Sequence, residues 1–385
     1  MTKLQFSSKD IFRSLRLGLS AKRVWIAFLG LLFGFAGYSG MTYLAYVSAG
    51  NDWLTVWELF RLLPFPRPSL FPWPWFSWLV FGAGVLWFLV VYLVTGTCLA
   101  KVVYESLRGD EFYSWQDGFR FALSNAGSVL LSPVLLLGFA GVLVLAGLCL
   151  SGLGRIPELG QVLVGLLALP AFFVCLFLVY LGIVLLVTFL LGPAVVGCQK
   201  SDVFDTLFET FSCVNEVPSR LAWCLLLTGF LAKLGLFLAG LVTSAAGRFG
   251  ALVLRAFMGD SISDLLSNGS YYFLVTLPSR SWLSLVRAVF VWMANLWGLP
   301  QVYRPGVYTG QGWGMVSGSA LIGVVFYLVA LLVLAYSMAV WFSGLTVSYL
   351  ILTKVKDGRN LLEVREDESE PVTPAEGTSG TVATG

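Results

Sequence analysis

The sequence predicts an all-α integral membrane protein with about six transmembrane helices, and three observations predict it. Hydrophobic residues make up 58% of the 385 and charged residues only 12%, against about 25% charged in soluble domains. The mean hydropathy is +0.84. The apolar residues also fall in long uninterrupted runs, each exceeding the roughly 20 residues that cross the hydrocarbon layer.

Residues 1–23 form an amphipathic segment that carries Lys3, Lys9, Arg13, Arg16, Lys22 and Arg23. The transmembrane domain follows over 24–353, with spans at about 24–48, 75–98, 128–152, 159–191, 220–245 and 317–352. The first run, Val24 to Ala49, is too long for the roughly 7–15-residue core of a cleaved signal peptide, and it reads as an uncleaved anchor. Between the first two spans, Trp53 to Phe60 predicts a short helix with Trp53, Trp57 and Phe60 on one side. Pro64, Pro66, Pro68, Pro72 and Pro74 stiffen the return. Trp73, Trp75 and Trp78 are placed as interfacial anchors. The fourth and sixth runs exceed the need, so tilt or protrusion is expected.

Residues 246–316 read as an extracytoplasmic interfacial insert, in which Trp282 to Leu299 predicts a helix lying in the interface rather than a seventh span. Residues 354–385 form a cytoplasmic, largely disordered acidic tail with few apolar residues to bury. Orientation follows the basic residues. Lys101, Arg108 and Arg120 follow span two, Lys200 and Arg220 follow span four, and Lys354, Lys356, Arg359 and Arg365 follow span six. With the basic N-terminal segment these put both chain ends in the cytoplasm.

Three cytoplasmic segments resemble one another, each leading into an outward-going span. They are Asp10-Ile11-Phe12-Arg13, Asp117-Gly118-Phe119-Arg120 and Asp202-Val203-Phe204-Asp205. In the third, Phe204, Leu207, Phe208 and Phe211 share one helical face and acids take the other, with Asp202 placed to cap the helix. Two readings stay open. One is three parallel repeats of interfacial helix plus helical hairpin; the other is that any helix approaching a bilayer obliquely is amphipathic.

Pro193-Ala194-Val195-Val196, the helix ending Phe208-Glu209-Thr210-Phe211-Ser212, then Arg220 and a new span resemble a known pattern. It is the multi-span membrane domain fused to some bacterial glycerophosphodiester phosphodiesterases, and related stand-alone bacterial membrane proteins of unassigned function. The likeness covers about residues 100–245 and departs at 246–316. It implies a bacterial inner-membrane protein. No phosphodiesterase catalytic domain accompanies it, so that activity does not carry over.

Chemistry is sparse. The chain has no histidine, which excludes histidine bases, Ser-His-Asp triads and histidine metal sites. Cys98, Cys149, Cys175, Cys198, Cys213 and Cys224 form no CxxC pair and read as small hydrophobes. No cofactor is expected. The net charge of +3, without a basic aromatic stripe, excludes nucleic acid as a partner. Glu105, Asp110, Glu111 and Asp117 crowd one loop, as a solvated face or a divalent-cation site.

Lys233 is the candidate functional residue within a span. It lies near the middle of Leu221 to Ser244, where a charge costs about 2.5–3.5 kcal/mol and usually faces a bundle interior or cavity. Snorkelling beside a tilted span is the alternative. Gly30 with Gly34, Ala36 with Gly40, and Gly314 with Gly318 have the four-residue spacing of close helix packing.

Three functions fit these features. The first is a non-enzymatic subunit or scaffold of a membrane assembly, in contact with lipids and with other membrane subunits or further copies of itself. The second is a transporter or channel with Lys233 lining the path. The third is a membrane enzyme acting on lipid through loop carboxylates.

Overall fold

A computed structural model describes residues 6, 8–60, 64–67, 71–259, 261–273 and 312–363. Among these, twelve helices and no strands are present. Six are long and apolar enough to cross a membrane. They are α3 (Ala21–Ser48), α5 (Trp75–Arg108), α7 (Ala126–Leu153), α8 (Leu159–Gln199), α10 (Pro218–Met258) and α12 (Trp313–Asp357). The protein is therefore an all-α, multi-pass membrane protein.

The spans pair as three antiparallel hairpins, α3 with α5, α7 with α8 and α10 with α12. Close contacts fix each register. Ser48 Oγ lies 3.0 Å from Ser77 Oγ in the first hairpin. In the third, Thr228 Oγ1 lies 3.1 Å from Ser348 Oγ, and Ser337 Oγ donates to the Ala232 carbonyl at 3.0 Å. The three returning helices α5, α8 and α12 also touch one another and make the centre of the bundle.

Short helices collar one end. These are α1 (Ser8–Ile11), α2 (Arg13–Gly18), α6 (Trp115–Ser124) and α9 (Val203–Glu216). Helix α6 packs on α5, α9 on α8, and α1 with α2 on α12, so each hairpin's returning helix carries one or two short helices. Helices α6 and α9 thus pack on the returning helix of the preceding hairpin, and the N-terminal helices close the ring against the last span. Ser114 starts α6 as a working cap, accepting the Asp117 amide at 3.0 Å. Asp202 holds the equivalent position in α9 without a side-chain cap bond. Its carbonyl instead takes both the amide and the hydroxyl of Thr206, at 2.9 and 2.8 Å.

Burial is uneven along the spans. Residues 93–105 of α5, 191–198 of α8 and 338–353 of α12 are almost wholly buried. Toward the far end the hairpins separate, and α7 and α8 are exposed on most faces between about 137 and 180. Small residues permit the tight end. A Cβ on Gly197 would meet the Ala100 Cβ at 2.7 Å and the Lys101 backbone nitrogen at 3.0 Å. Gly344 presses on Thr228, and Gly96 on the Phe342 ring.

At the far end α4 (Trp53–Phe60) folds back over the first hairpin. Val56 and Phe60 are fully buried, with Trp57 packed beside them, whereas Trp53 stays exposed while its ring lies 4.6 Å from that of Tyr43. Tyr46 is the hub. Its hydroxyl donates to the Phe65 carbonyl at 2.6 Å and accepts the Arg67 amide at 3.0 Å, which holds the proline-rich return in place.

Several boundaries differ from the sequence expectation. Helix α10 runs on to Met258, α12 begins at Trp313, and α11 (Ser261–Phe273) turns back to pack along α12. The insert expected at 246–316 is therefore helical in its described parts. Helical hydrogen bonds are made within the segment itself, so α10 continues to Met258 although residues 245–258 are largely exposed. The helix expected at 282–299 and the tail beyond 363 lie outside the described residues.

Candidate functional site

The collar end gathers buried charge that the sequence left scattered. Lys101 and Glu105 sit one turn apart on α5, with Nζ to Oε1 at 2.7 Å. Both are nearly buried, and Arg108 approaches the other Glu105 oxygen at 3.9 Å. The Lys101 ammonium also stands 4.8 Å from the centre of the Phe121 ring of α6, a cation–π contact that adds to its hold.

A second knot joins α9 to α12. Lys356 Nζ lies 2.9 Å from Glu209 Oε2, and the Tyr349 hydroxyl donates to Glu209 Oε1 at 3.3 Å. The Lys356 side chain is 3% exposed and that of Glu209 17%. A carboxylate so placed serves both a buried ammonium, which Asp357 also approaches at 3.6 Å, and a buried phenol, and burying an ion without such partners costs several kcal/mol. Beside it, Cys213 on α9 is fully buried, and burial pushes its thiol up to about 12.

An open polar groove of about 450 Å³ lies next to this knot, between the end of α8 and the outer face of α9. Gln199, Lys200, Ser201, Asp205, Phe208, Glu209 and Ser212 line it. Lys200 ends α8 in the left-handed region, φ +52, and its amide caps the Val196 carbonyl. Ser201 is bonded to Thr206, Ser212 to Glu216 and Glu209 to Lys356. The side chains of Gln199, Lys200 and Asp205 are exposed and, among the described residues, have no hydrogen-bond or ion-pair partner. The groove therefore offers one free cation, one free carboxylate and one free amide.

The residues singled out by sequence are not brought together. Lys233 is exposed on α10, off the Thr228, Ala232 and Gly235 face that packs on α12. The apolar stripe of α9 divides. Leu207 and Phe211 pack against Leu136, Leu181 and Val184 of the second hairpin, whereas Phe204 and Phe208 are 64% and 70% exposed. Gly30 packs on Thr95, Gly34 approaches the Phe88 ring and Gly318 the Leu265 side chain. Gly314 has nothing within 4 Å, because it lies in the first turn of α12, ahead of the part that α11 covers closely at Ser319 and Ile322.

The loop acids likewise part company. Glu105 is in the α5 ion pair, Asp110 accepts the amides of Phe112 and Tyr113, and Asp117 is bonded to Ser114. Among the described residues no group of three or more acidic or cysteine side chains is placed to hold a metal ion. The Lys356–Glu209–Tyr349 knot was not foreseen. Its sequence signal was Glu209 lying on the side of α9 opposite the apolar stripe, a position that reads as solvent until α12 is placed beside it.

No family model, curated protein or solved structure matches the chain.

Proposed function

We propose that the protein is a non-enzymatic scaffold or subunit of a membrane assembly, in a bacterial inner membrane with both chain ends cytoplasmic. The observation that carries this reading is the contrast between the two ends of the bundle. The collar end is locked by close glycine contacts and buried ion pairs. The far part of the α7–α8 hairpin, about residues 137–180, is uncovered, with Gly138, Gly141, Gly147 and Gly165 open to the outside. A rigid base with an uncovered, small-residue hairpin is suited to receiving further transmembrane helices.

A transport path lined by Lys233 needs that side chain to face a space enclosed between spans, and its exposed position on α10 favours the scaffold reading instead. The resemblance to the membrane domain of some bacterial phosphodiesterases supports the inner-membrane assignment alone. The test is purification from native membrane in mild detergent, with co-purifying proteins identified by mass spectrometry. A stoichiometric partner that survives high salt and is lost on replacing Gly141 and Gly165 with leucine supports the proposal. A protein that purifies alone overturns it.

A further inference from the structure

We propose that the groove between α8 and α9 binds the headgroup of a zwitterionic phospholipid bearing a primary ammonium group. This deepens the lipid-contacting part of the scaffold reading and concerns a different surface from the α7–α8 hairpin. The groove's volume, about 450 Å³, is in the range of small-ligand sites.

Charge decides the class of ligand. Lys200 and Asp205 are the free ions of the lining, one of each sign, because Glu209 is neutralised by Lys356 at 2.9 Å. A net-neutral groove with separated charges matches a zwitterion better than an anion or a cation. The phosphate pairs with the Lys200 ammonium. The ligand ammonium donates to the Asp205 carboxylate. Gln199 supplies an amide to either partner.

Position decides the lipid source. Phe208 lines the groove and Phe204 stands one turn before it, both largely exposed. Exposed rings on an amphipathic helix beside membrane spans lie at the boundary of headgroups and acyl chains. A lipid held by its headgroup in the groove runs its chains over these rings toward α7 and α8, whose flanks are apolar and uncovered.

The experiment uses the full chain in detergent, titrated with short-chain phosphatidylethanolamine, phosphatidylcholine or phosphatidylglycerol, with bound lipid counted by native mass spectrometry. Phosphatidylethanolamine is expected to bind about tenfold more tightly than either of the others, since loss of one charge-assisted hydrogen bond is worth about that factor. Lys200→Asn, which tolerates the left-handed backbone, and Asp205→Asn are each expected to weaken it about tenfold. Both side chains are exposed and unbonded, so an unchanged unfolding midpoint certifies the fold. Equal occupancy by the three lipids, or no loss in either variant, overturns the site. Displacement by free phosphoethanolamine at the concentration at which the lipid binds overturns the lipid source and assigns a soluble ligand. A failed partner purification leaves this titration unaffected, so the two readings fail separately.

Discussion

At Glu209 a single carboxylate ties three elements, since it sits on α9, pairs with Lys356 and accepts from Tyr349, both on α12. Replacing it by glutamine keeps the shape and removes the charge. The Lys356 ammonium then keeps only Asp357, at 3.6 Å, as its counter-ion. The expected loss is about 2–3 kcal/mol, below the ~3–5 kcal/mol of a fully buried pair because Glu209 retains some exposure. Unfolding midpoints in detergent measure it, and Lys356→Met in the same chain is expected to restore part of the loss as a double-mutant cycle. Cys213 gives a second residue-scale test. Its raised thiol, at about 12, leaves almost no thiolate near neutral pH. A maleimide at pH 7.5 is expected to spare Cys213 in the folded protein and to modify it once denaturant opens the collar. The ion pair within α5 was legible only on extending span two past its expected end near 98, which turns the loop read at Glu105 into helix and brings lysine and glutamate four residues apart together. The Glu209–Lys356 pair was not, since its partners are 147 residues apart.

At the scale of one helix, α8 contains its own control. Gly197 abuts the α5 backbone, whereas Gly182 has nothing within 4 Å. Valine at 197 is expected to cost about 1–3 kcal/mol through overpacking against atoms that cannot swing away. Valine at 182 is expected to stay within ~0.5 kcal/mol of the parent. Thermal unfolding of the two variants side by side reads the difference, and equal midpoints would mean that α5 and α8 do not close on Gly197. The existence of α8 was evident from its apolar length; its ends were not. Helix α8 continues to Gln199, past the hydropathic limit near 191, because α5, α9 and α12 cover its last turns. The stripe of α9 was read as one face, yet its two edges meet different surroundings. Leu207 and Phe211 find the second hairpin, while Phe204 and Phe208 find none.

Across the described residues, the alternation of six spans places α1, α2, α6 and α9 on one side and α4 with the α7–α8 turn on the other. Single cysteines at Phe12, Phe112 and Glu216 are expected to react with a membrane-impermeant maleimide only after the cells are permeabilised. Cysteines at Glu58 and Arg155 are expected to react in intact spheroplasts. Labelling of both sets from outside would refute the six-span topology with cytoplasmic ends. What the sequence by itself determined is the solvent of each segment. Apolar runs of sufficient length must leave water, amphipathic stretches must lie at its boundary, and the absence of histidine removes whole classes of chemistry, all without knowledge of neighbours. Only the tertiary structure decided which faces meet. It put α5, α8 and α12 at the centre, turned Lys233 outward, joined Glu209 to Lys356, and left Lys200 and Asp205 free beside a groove. In a membrane the lipid is as apolar as the helices, so hydropathy favours insertion but is nearly indifferent to pairing. The choice of partner rests on small residues, buried hydrogen bonds and ion pairs, whose meeting depends on the folded chain.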